Sequence, residues 1–577
     1  MKHIFKKTFA LIMFLATLFF LSACGGKKGE LVVCVGPNPD TVDPALNSAV
    51  DGATMIIHAF SGLVGYQLVD DKLELVPDCA TSLPEPTELE DGKVEYVFTL
   101  KDGLKWSDGS DLTAEDFVYS WKRAADPDTG ADYAYMFDVI DGFDENDLNV
   151  TASEDGKQLT VVLKNDVPYF HELCAFPTYM PVKQDVVEAN PDTWATKPKT
   201  YVGNGPYKMT YWKHNSKIVM EKNEHYHNAD VVKINSIEFA LSDDDNAILT
   251  NYLNGKYVLI DQVPNNEISR LKEEYPSEFF ITGQLGTYYL CFNVDDDTLF
   301  EGVVTSEEEK ANVRKALSLL IDRNHIVTEI GQAGQTPANS YVPSGLTEPD
   351  GEEFVSKNGV NRDGAGYYSV DGDDYEENCA LAVQMLKDAG YTWNESTGKF
   401  TDFPTFEYIT NPGTAHEQIA TYIKEVFADY GIEMTVGTQE WNTFLNTRKN
   451  GDYTSARNGW LADYNDPISF LDMWTSTSGN NDCQFGKGSH ANVAIYGENN
   501  NQTWAQTYDV IINQVKSSTV PETRFNLMHQ AEDLLMETGA ICPIYFYTDL
   551  YMVSPRLEGF FTSPLGYKFF MYAELND

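Results

Sequence analysis

Hydrophobic and polar residues alternate along several short stretches of the chain, with apolar helical patterns between them. Period-two alternation and short apolar runs predict strands at 31–35, 94–100, 158–163, 207–212, 217–221, 405–409 and 432–436. Helical spacing of apolar residues predicts helices at 53–63, 185–189, 312–330, 380–389 and 416–430. Helix and strand alternate from about 300 to 515, which is the pattern of an α/β domain.

Local signals mark where elements begin and where the chain turns. Thr113 and Asp116 have the spacing of a capping box at the start of a further helix. The breaker-rich segment 202–207 predicts a loop, and the Gly- and Asp-rich segment 351–378 predicts a surface excursion. No internal repeat interrupts this order.

The first twenty-three residues have the pattern of an export signal. Basic residues precede an apolar run from Phe9 to Leu21, which is too short to span a bilayer comfortably. The run ends in Leu-Ser-Ala-Cys24, which resembles the bacterial lipobox, in which the cysteine is diacylated and becomes the new N-terminus. We expect a signal peptide at 1–23, a lipid on Cys24 and a flexible tether at 24–29. An ordinary N-terminal membrane anchor is the alternative.

Length and charge narrow the classes of protein. A chain of 577 residues with 42% hydrophobic residues exceeds what one core usually supports, so two or three lobes are expected. The net charge is −47, and a field of that sign disfavours nucleic acid and anionic lipid as partners. Dispersed acidity is also what a solvated surface shows, so the charge favours cationic ligands only weakly.

The cysteines do not form a recognisable framework. Besides Cys24 there are seven, an odd number at wide and irregular spacing, and no CxxC pair occurs. Zinc and thiol-redox sites are therefore not expected, and most of these cysteines are predicted to be small buried hydrophobic residues.

Catalytic motifs are missing from the sequence. Nucleophile-elbow, phosphate-loop and HExxH patterns do not occur, so we predict neither an enzyme nor a cofactor. His214, His225 and His227 with Glu221 and Glu224 have ligand types that a metal uses, but their spacing matches no known site. A polar loop or edge strand is the favoured interpretation, and no metal is predicted.

Five segments, in order along the chain, carry a family resemblance: 39–44, 100–121, 202–207, 313–323 and 459–467. They resemble the oligopeptide- and dipeptide-binding proteins of ABC importers, the extracellular solute-binding proteins of family 5 in their lipoprotein form. The resemblance covers nearly the whole mature chain. It also agrees with the export signal, which was identified independently.

The resemblance implies an α/β fold of the three-lobed, periplasmic-binding-protein-like kind (class II, cluster C), with a hinge between lobes I and III. Transferred to this sequence, lobe I comprises 30–66, 199–297 and 515–577. Lobe II comprises 67–198, and lobe III comprises 298–514. In that family lobes I and III close on an extended peptide, and lobe II packs against lobe I.

The resemblance also implies the ligand-binding residues. A receptor for many peptide sequences must bind what all peptides share: backbone amides, an ammonium and a carboxylate. Asp463 matches the ammonium partner of the family, while Arg457 and Arg448 match arginines near the carboxylate end. The remaining matches flank or line the cleft: Ser48, Ala49, Val50, Gly459, Trp460, Leu461, Trp441 and Tyr133.

Each assignment has a structural alternative. A tryptophan in a Gly-Trp-Leu-Ala strand is ordinarily a core residue, and Arg448 in a helical segment is ordinarily a solvated surface residue. Leu461 stands where some relatives have a disulfide-bonded cysteine, so that cross-link is not expected here.

The implied partners are short peptides, the permease subunits of an ABC importer, and a membrane reached through the lipid on Cys24. The protein is expected to be a monomer on the outer face of the bacterial cytoplasmic membrane, or in a periplasm, with no nucleic-acid partner. An oligosaccharide, a nickel complex or a signalling peptide are alternative ligands on the same fold. A secreted hydrolase is the alternative from a different class.

Overall fold

The computed structural model describes residues 30–576, apart from residues 71, 305 and 495–501. The predicted signal peptide, Cys24 and the tether at 24–29 lie outside this part of the chain. Within it, no helix combines the length and apolar character needed to cross a membrane. The helices are Val50–Ala59, Ala114–Ala125, Phe170–Leu173, Gln184–Ala189, Asp245–Leu253, Ile268–Glu274, Glu307–Leu319, Arg323–His325, Tyr375–Asp388, Thr414–Asp429, Trp441–Asn450, Trp504–Ser517 and Pro521–Glu537.

One large mixed sheet organises the molecule. Its strand order is Met434–Thr438, Phe406–Thr410, Ser455–Leu461, Phe279–Phe292, Ile541–Val553, Leu259–Ile260, Glu30–Cys34, Ser236–Ala240, Lys217–Lys222 and Tyr207–Lys213, with Thr336–Pro337 also paired to Ile541–Val553. Phe279–Phe292 and Ile541–Val553 are much longer than the others, and we call them the central strands. They are antiparallel, and their register shifts between Gly283 and Thr287.

The central strands join two halves of the sheet. On one side of the register shift, Met552 and Val553 pair with Leu259–Ile260, which leads to the N-terminal strand. On the other side, Gly286 to Phe292 pair with Ser455–Leu461. The two long strands therefore run through both halves of the sheet, as a hinge between the predicted lobes I and III would require.

The helix Pro521–Glu537 lies in the segment predicted as lobe I, but it contacts the segment predicted as lobe III. Its Glu532 accepts hydrogen bonds from the backbone N–H groups of Tyr341 (3.0 Å) and Val342 (2.8 Å), and its Arg524 pairs with Asp466 at 2.7 Å. All three partners lie in the segment predicted as lobe III. We therefore propose that the lobes meet at the register shift of the central strands, rather than at 297/298 and 514/515.

The segment predicted as lobe II contains a separate antiparallel sheet. Its strand order is Thr87–Glu88, Val94–Thr99, Gln158–Leu163 and Val150–Ala152, and a hairpin of Val64–Val69 with Lys72–Pro77 precedes it. The capping box predicted at Thr113 and Asp116 is confirmed. Trp121 on the helix that follows is fully buried and donates to the Tyr179 carbonyl at 2.7 Å, which fixes the helix on the lobe.

The loop 202–207 lies against the C-terminal end of the helix Val50–Ala59. A Cβ atom on Gly203 would lie 1.9 Å from the Ala59 carbonyl oxygen, so only glycine fits there. Asn204 bonds both the backbone N–H and the carbonyl of Ser61, at 3.0 and 2.8 Å. The helix ends at Ala59 rather than at the predicted residue 63, because Phe60 is already extended.

The helix predicted at 312–330 is broken in the structure. Its first part is the helix Glu307–Leu319. Asp322 then starts a new helix, because its carboxylate accepts hydrogen bonds from the N–H groups of Asn324 and His325. The apolar spacing continues through this break, so periodicity alone does not reveal it. The segment 351–374 holds only two short 3-10 turns, as an excursion predicts, although Phe354 in it is fully buried. The last residues of the predicted excursion, 375–378, already belong to the helix Tyr375–Asp388.

The seven cysteines of the described chain are all buried, and none is in a disulfide. Their prediction as small buried hydrophobic residues is confirmed.

Candidate ligand-binding site

A cavity of about 330 Å³ lies where the three predicted lobes meet. The structure places all eleven predicted site residues around it: Ser48, Ala49, Val50, Tyr133, Trp441, Arg448, Arg457, Gly459, Trp460, Leu461 and Asp463. Four come from the strand Ser455–Leu461, which we call the site strand, and Asp463 lies in the loop that follows it. The others come from residues 48–50 at the start of the helix Val50–Ala59, from the segment predicted as lobe II, and from the helix Trp441–Asn450. Their roles in binding remain a proposal.

The site strand has an open edge toward the cavity. It pairs along its length with a central strand, but with Phe406–Thr410 only at Ser455 and Ala456. No other strand of the described chain pairs with the remaining edge, from Arg457 to Leu461. A free strand edge can add an extended segment through main-chain hydrogen bonds.

Gly459, in the middle of the open edge, is held close to the second central strand. A Cβ atom at this position would lie 2.3 Å from the hydroxyl oxygen of Tyr547, so a side chain does not fit. Its N–H donates to the Asn458 Oδ1 at 2.8 Å. The backbone therefore forms this wall of the cavity.

Asp463 is a buried carboxylate without a cationic partner. It is 7% exposed, and its Oδ1 accepts from the Tyr133 hydroxyl at 2.9 Å. Ser469 donates to Oδ2 at 3.4 Å, and no Lys, Arg or His of the described residues pairs with the carboxylate. Burial raises the pKa of Asp463 well above its usual range, and these hydrogen bonds oppose the shift only in part. The cavity thus contains a carboxyl group whose ionised form a bound cation would stabilise.

Arg457 is the complementary case. Its Nη2 donates to the Tyr547 hydroxyl at 3.2 Å, and its guanidinium lies 5.2 Å from the centre of the Tyr288 ring. Its Nε has no hydrogen-bond partner, and no carboxylate of the described chain lies within ion-pair distance. Aromatic contacts hold the guanidinium in place but do not neutralise it.

Arg448 is buried and already paired. It is 6% exposed, so the interpretation as a solvated helix residue is wrong. Its Nη1 lies 3.6 Å from the Asp482 carboxylate and also bonds the Asn458 side chain, and the guanidinium lies 4.6 Å from the Phe444 ring centre. Of the two arginines, only Arg457 lacks a carboxylate partner.

Three aromatic side chains line the cavity with their polar atoms engaged. Trp441 Nε1 donates to Asp51 Oδ2 at 3.1 Å, and Trp460 Nε1 donates to the Ser469 carbonyl at 2.8 Å. Tyr133 bonds Asp463, and its ring centre lies 6.2 Å from that of Trp460. Trp460 is only half-buried, so it is not a core residue. Flat ring surfaces are left to face a ligand.

Contacts between lobes close the cavity. Lys449 of the segment predicted as lobe III donates to Ser48 Oγ at 2.8 Å and pairs with Asp132 of the predicted lobe II. Ser48 in turn donates to Asp132 at 2.9 Å. The structure therefore shows a closed arrangement of the lobes.

Several lining residues were missed by sequence reasoning, among them Asp51, Lys449, His416, Asp482 and Tyr547. Asp51 and Lys449 directly follow the predicted site residues Val50 and Arg448, so their position in the sequence could have indicated them. The other three reach the cavity only through long-range folding.

A second cavity, of about 360 Å³, lies between the hairpin Val64–Val69/Lys72–Pro77 and the C-terminal region. Its walls are largely aromatic, and its charged groups are already satisfied. His227 lies 3.1 Å from Asp78, and Lys101 donates to the Pro77 carbonyl. It offers no unpaired charge comparable to Asp463.

The histidines weighed as metal ligands are used elsewhere. His227 pairs with Asp78, and His214 stacks on Trp212 with ring centres 4.5 Å apart. In the described part of the chain, no three His, Cys, Asp or Glu side chains are grouped to hold a metal ion.

Comparison with known proteins decides the family. The model of bacterial extracellular solute-binding proteins, family 5 (middle part), matches residues 74–482. The chain belongs to this family. The oligopeptide-binding protein OppA of Bacillus subtilis is similar to this family 5 protein, with 30% identity over 98% of the chain and 99% of its own length.

Solved structures agree with this assignment. The murein tripeptide binding protein MppA of Escherichia coli matches with a TM-score of 0.80 at 27% identity, covering 96% of this chain and 99% of its own. The Haemophilus influenzae OppA in complex with RPPGFSPFR matches with 0.80 at 26% identity, covering 96% and 100%. The predicted family resemblance and the α/β, multi-lobed binding fold are confirmed.

A further match concerns the arrangement of the lobes. An unliganded open form of MppA gives a TM-score of only 0.57, at 27% identity, covering 94% of this family 5 protein and 95% of that chain. The sequence identity is the same as for the MppA structure that matches with a TM-score of 0.80, so the lower TM-score reflects a different conformation. This agrees with the closing contacts of Lys449.

Proposed function

We propose that this protein is the extracytoplasmic substrate-binding component of an ABC importer, and that it binds short peptides in an extended conformation between closing lobes. One observation carries the proposal. The buried carboxylate Asp463 and the half-buried guanidinium of Arg457, neither with an ion-pair partner among the described residues, line the same cavity beside an open strand edge.

These three features match the three parts common to all peptides. The edge of the site strand offers hydrogen bonds to a peptide backbone. Asp463 supplies a charge-assisted partner for the α-ammonium, and Arg457 supplies a planar, two-pronged partner for the α-carboxylate. An oligosaccharide has no opposite charges to satisfy both residues, which favours the peptide over that alternative.

The cavity volume favours short ligands. About 330 Å³ stands at the lower end of the roughly 300–1,000 Å³ common for ligand pockets. Side chains of different size would be accommodated by rearranged water along the tryptophan and tyrosine walls, which are tolerant surfaces.

The remaining parts of the function follow from the family and the N-terminal sequence. We propose that the protein is exported, is held at the outer face of the cytoplasmic membrane by the lipid on Cys24, and presents its closed form to a permease as a monomer. It would bind and release the peptide unchanged, because the motifs of a hydrolase are missing from its sequence.

Calorimetry on the ligand-stripped form beginning at Gly25 tests the proposal. The titrants are a tri- to pentapeptide pool and the same pool after N-acetylation, which removes the ammonium charge. We expect the free pool to bind and acetylation to weaken binding about 30-fold or more, the cost of truncating one partner of a buried charge pair. Asp463→Asn should bind both pools equally weakly. No binding of either pool, or equal tight binding of both, would overturn the proposal.

A further inference from the structure

Asp51 is a second buried carboxylate in the cavity, and neither the family resemblance nor the motifs point to it. It is 7% exposed and lies in the first turn of the helix Val50–Ala59. Its Oδ2 accepts from Trp441 Nε1 at 3.1 Å, while its Oδ1 has no hydrogen-bond partner in the described chain. A buried charged oxygen without a partner is costly, so a role for it must be sought in the cavity that it lines.

The charges around the cavity do not balance. Most of the charged lining groups have charged partners: Asp482 pairs with Arg448, Lys449 pairs with Asp132, and Asp261 shares Lys568 with the buried Asp549. Asp243 is exposed to solvent, and burial lowers the pKa of His416 well below its usual range, so that side chain is neutral. Three ionisable lining groups have no ion-pair partner in the described chain: the buried Asp463 and Asp51, and the half-buried Arg457.

A peptide with free ends and neutral side chains would satisfy only two of these three. Its ammonium pairs with Asp463 and its carboxylate with Arg457, and Asp51 remains without a cation. A peptide with one basic side chain gives each of these three groups a partner of opposite charge. Desolvated charges without partners weaken closed complexes strongly, so this difference is large enough to select ligands.

We infer that Asp51 is a specificity-determining residue that pairs with a lysine or arginine side chain of the bound peptide. The inference rests on the proposed function, since it names the class of peptide which that same cavity selects.

The surroundings of Asp51 leave its carboxylate partly stabilised, so that a bound cation would stabilise the ionised form further. The N-terminus of its helix and the Trp441 indole favour the ionised form, while burial raises the pKa of Asp51 to about 7. The free cavity therefore holds this group close to its protonation boundary, and an entering ammonium or guanidinium would keep it ionised. Asp463, by contrast, has both carboxylate oxygens hydrogen-bonded within the protein.

The test compares lysine with norleucine, which has nearly the same shape but no charge. Each is placed in turn at the four positions of tetra-alanine with free ends, and affinity is measured by calorimetry on the unmodified sequence from Gly25. We expect lysine to bind at least about tenfold more tightly than norleucine at one position, the scale of one buried charge partner. This comparison needs no variant and so does not depend on the folding of one.

Variants then assign the effect to Asp51. Asp51→Asn retains an oxygen that accepts from Trp441, so its fold should be preserved, and it should lose the preference for lysine. Asp230→Asn, which removes an exposed carboxylate outside the cavity, should keep the preference.

The outcomes separate the two proposals. Equal binding of lysine and norleucine at all positions, with tetra-alanine itself bound, overturns the role of Asp51 and leaves the peptide receptor intact. A lysine preference that survives in Asp51→Asn also overturns it. Failure of every peptide to bind overturns both.

Discussion

Two arginines at the cavity wall have the same charge but different electrostatic surroundings, and Arg448 is buried whereas Arg457 is half-buried. Arg448 has Asp482 as a carboxylate partner, whereas Arg457 has only tyrosine contacts. Truncating one member of a buried pair leaves the other charge unpaired, whereas removing a lone buried charge relieves desolvation. The two residues should therefore respond in opposite ways to the same substitution.

Arg448→Gln should destabilise the fold by about 3–5 kcal/mol, because Asp482 loses its partner. Arg457→Gln should leave the melting temperature unchanged or raise it, and should lower affinity for peptides with a free carboxylate by about 30-fold or more. Peptides amidated at the C-terminus provide the control, since their affinity for Arg457→Gln should equal that for the unmodified protein. If Arg457→Gln is less stable but still binds peptides with a free carboxylate more tightly than amidated ones, Arg457 has a structural role instead.

Glu532 provides a pH-dependent prediction away from the cavity. It is fully buried, and burial raises its pKa from 4.5 to about 8 despite the two backbone N–H groups that bond it. Between these two pKa values the folded state holds a proton that the unfolded state has lost. Its contribution to stability is therefore complete below pH 4.5 and is lost as the pH rises through about 8.

Glu532→Gln should remove this loss, because glutamine keeps an oxygen for both N–H groups and carries no charge. Its melting temperature should exceed that of the unmodified protein at pH 8.5, by an amount corresponding to roughly 2–5 kcal/mol, and the difference should shrink toward pH 5. Glu522→Gln, an exposed acid on the same helix, should show no such trend. A difference that is constant with pH would contradict the assignment.

At the scale of elements, the open edge of the site strand depends on a glycine. The φ of Gly459 is not in the left-handed region, so its requirement comes from packing against Tyr547 rather than from backbone conformation. Gly459→Ala should push the strand away from Tyr547 and toward the cavity, and should weaken peptide binding about tenfold, the upper range of one lost hydrogen bond.

The compensating change is Tyr547→Phe, which removes the hydroxyl that a Cβ at position 459 would meet. Tyr547→Phe also removes the hydroxyl that accepts from Arg457, so it should lower affinity when made alone. In the Gly459→Ala background it should cost less affinity than in the unmodified protein, and a double-mutant cycle measures this coupling. Independent effects of the two changes would show that the contact does not position the edge.

Sequence patterns predicted elements well where period and signal residues agree. The strand at 158–163 and the capping box at Thr113 needed only local information. The helix break before Asp322 was not predicted, because the apolar spacing continues across it. The new helix begins there because the Asp322 side chain caps it. The burial of Arg448 and the approach of Tyr547 to the site strand depend on pairing between distant segments, which periodicity does not contain.

At the scale of the whole molecule, the central strands run through both halves of the large sheet, and the site strand pairs with one of them. We expect the hinge motion to bend these two strands. In the closed structure, Lys449 and Tyr133 bridge the predicted lobes through Ser48, Asp132 and Asp463. Further hydrogen bonds between the predicted lobes join Asp51 to Trp441 and Asp245 to Thr414. Because Asp463 and Arg457 have no ion-pair partners among the described residues, we expect a ligand that supplies them to favour the closed form.

Small-angle scattering on the ligand-stripped protein beginning at Gly25 checks this dependence. A compact chain of this length has a radius of gyration of about 24 Å, and we expect a larger value without ligand that falls on addition of the tri- to pentapeptide pool. Lys449→Ala removes one bridge without touching Asp463 or Arg457, so it should keep the contraction at saturating peptide but require about tenfold more peptide to reach it. Lys424→Ala, on another helix of the same lobe and outside the cavity, should leave the titration unchanged. If the radius does not change with peptide, the lobes are closed by their own contacts, and capture would then need a route into a cavity that is already shut.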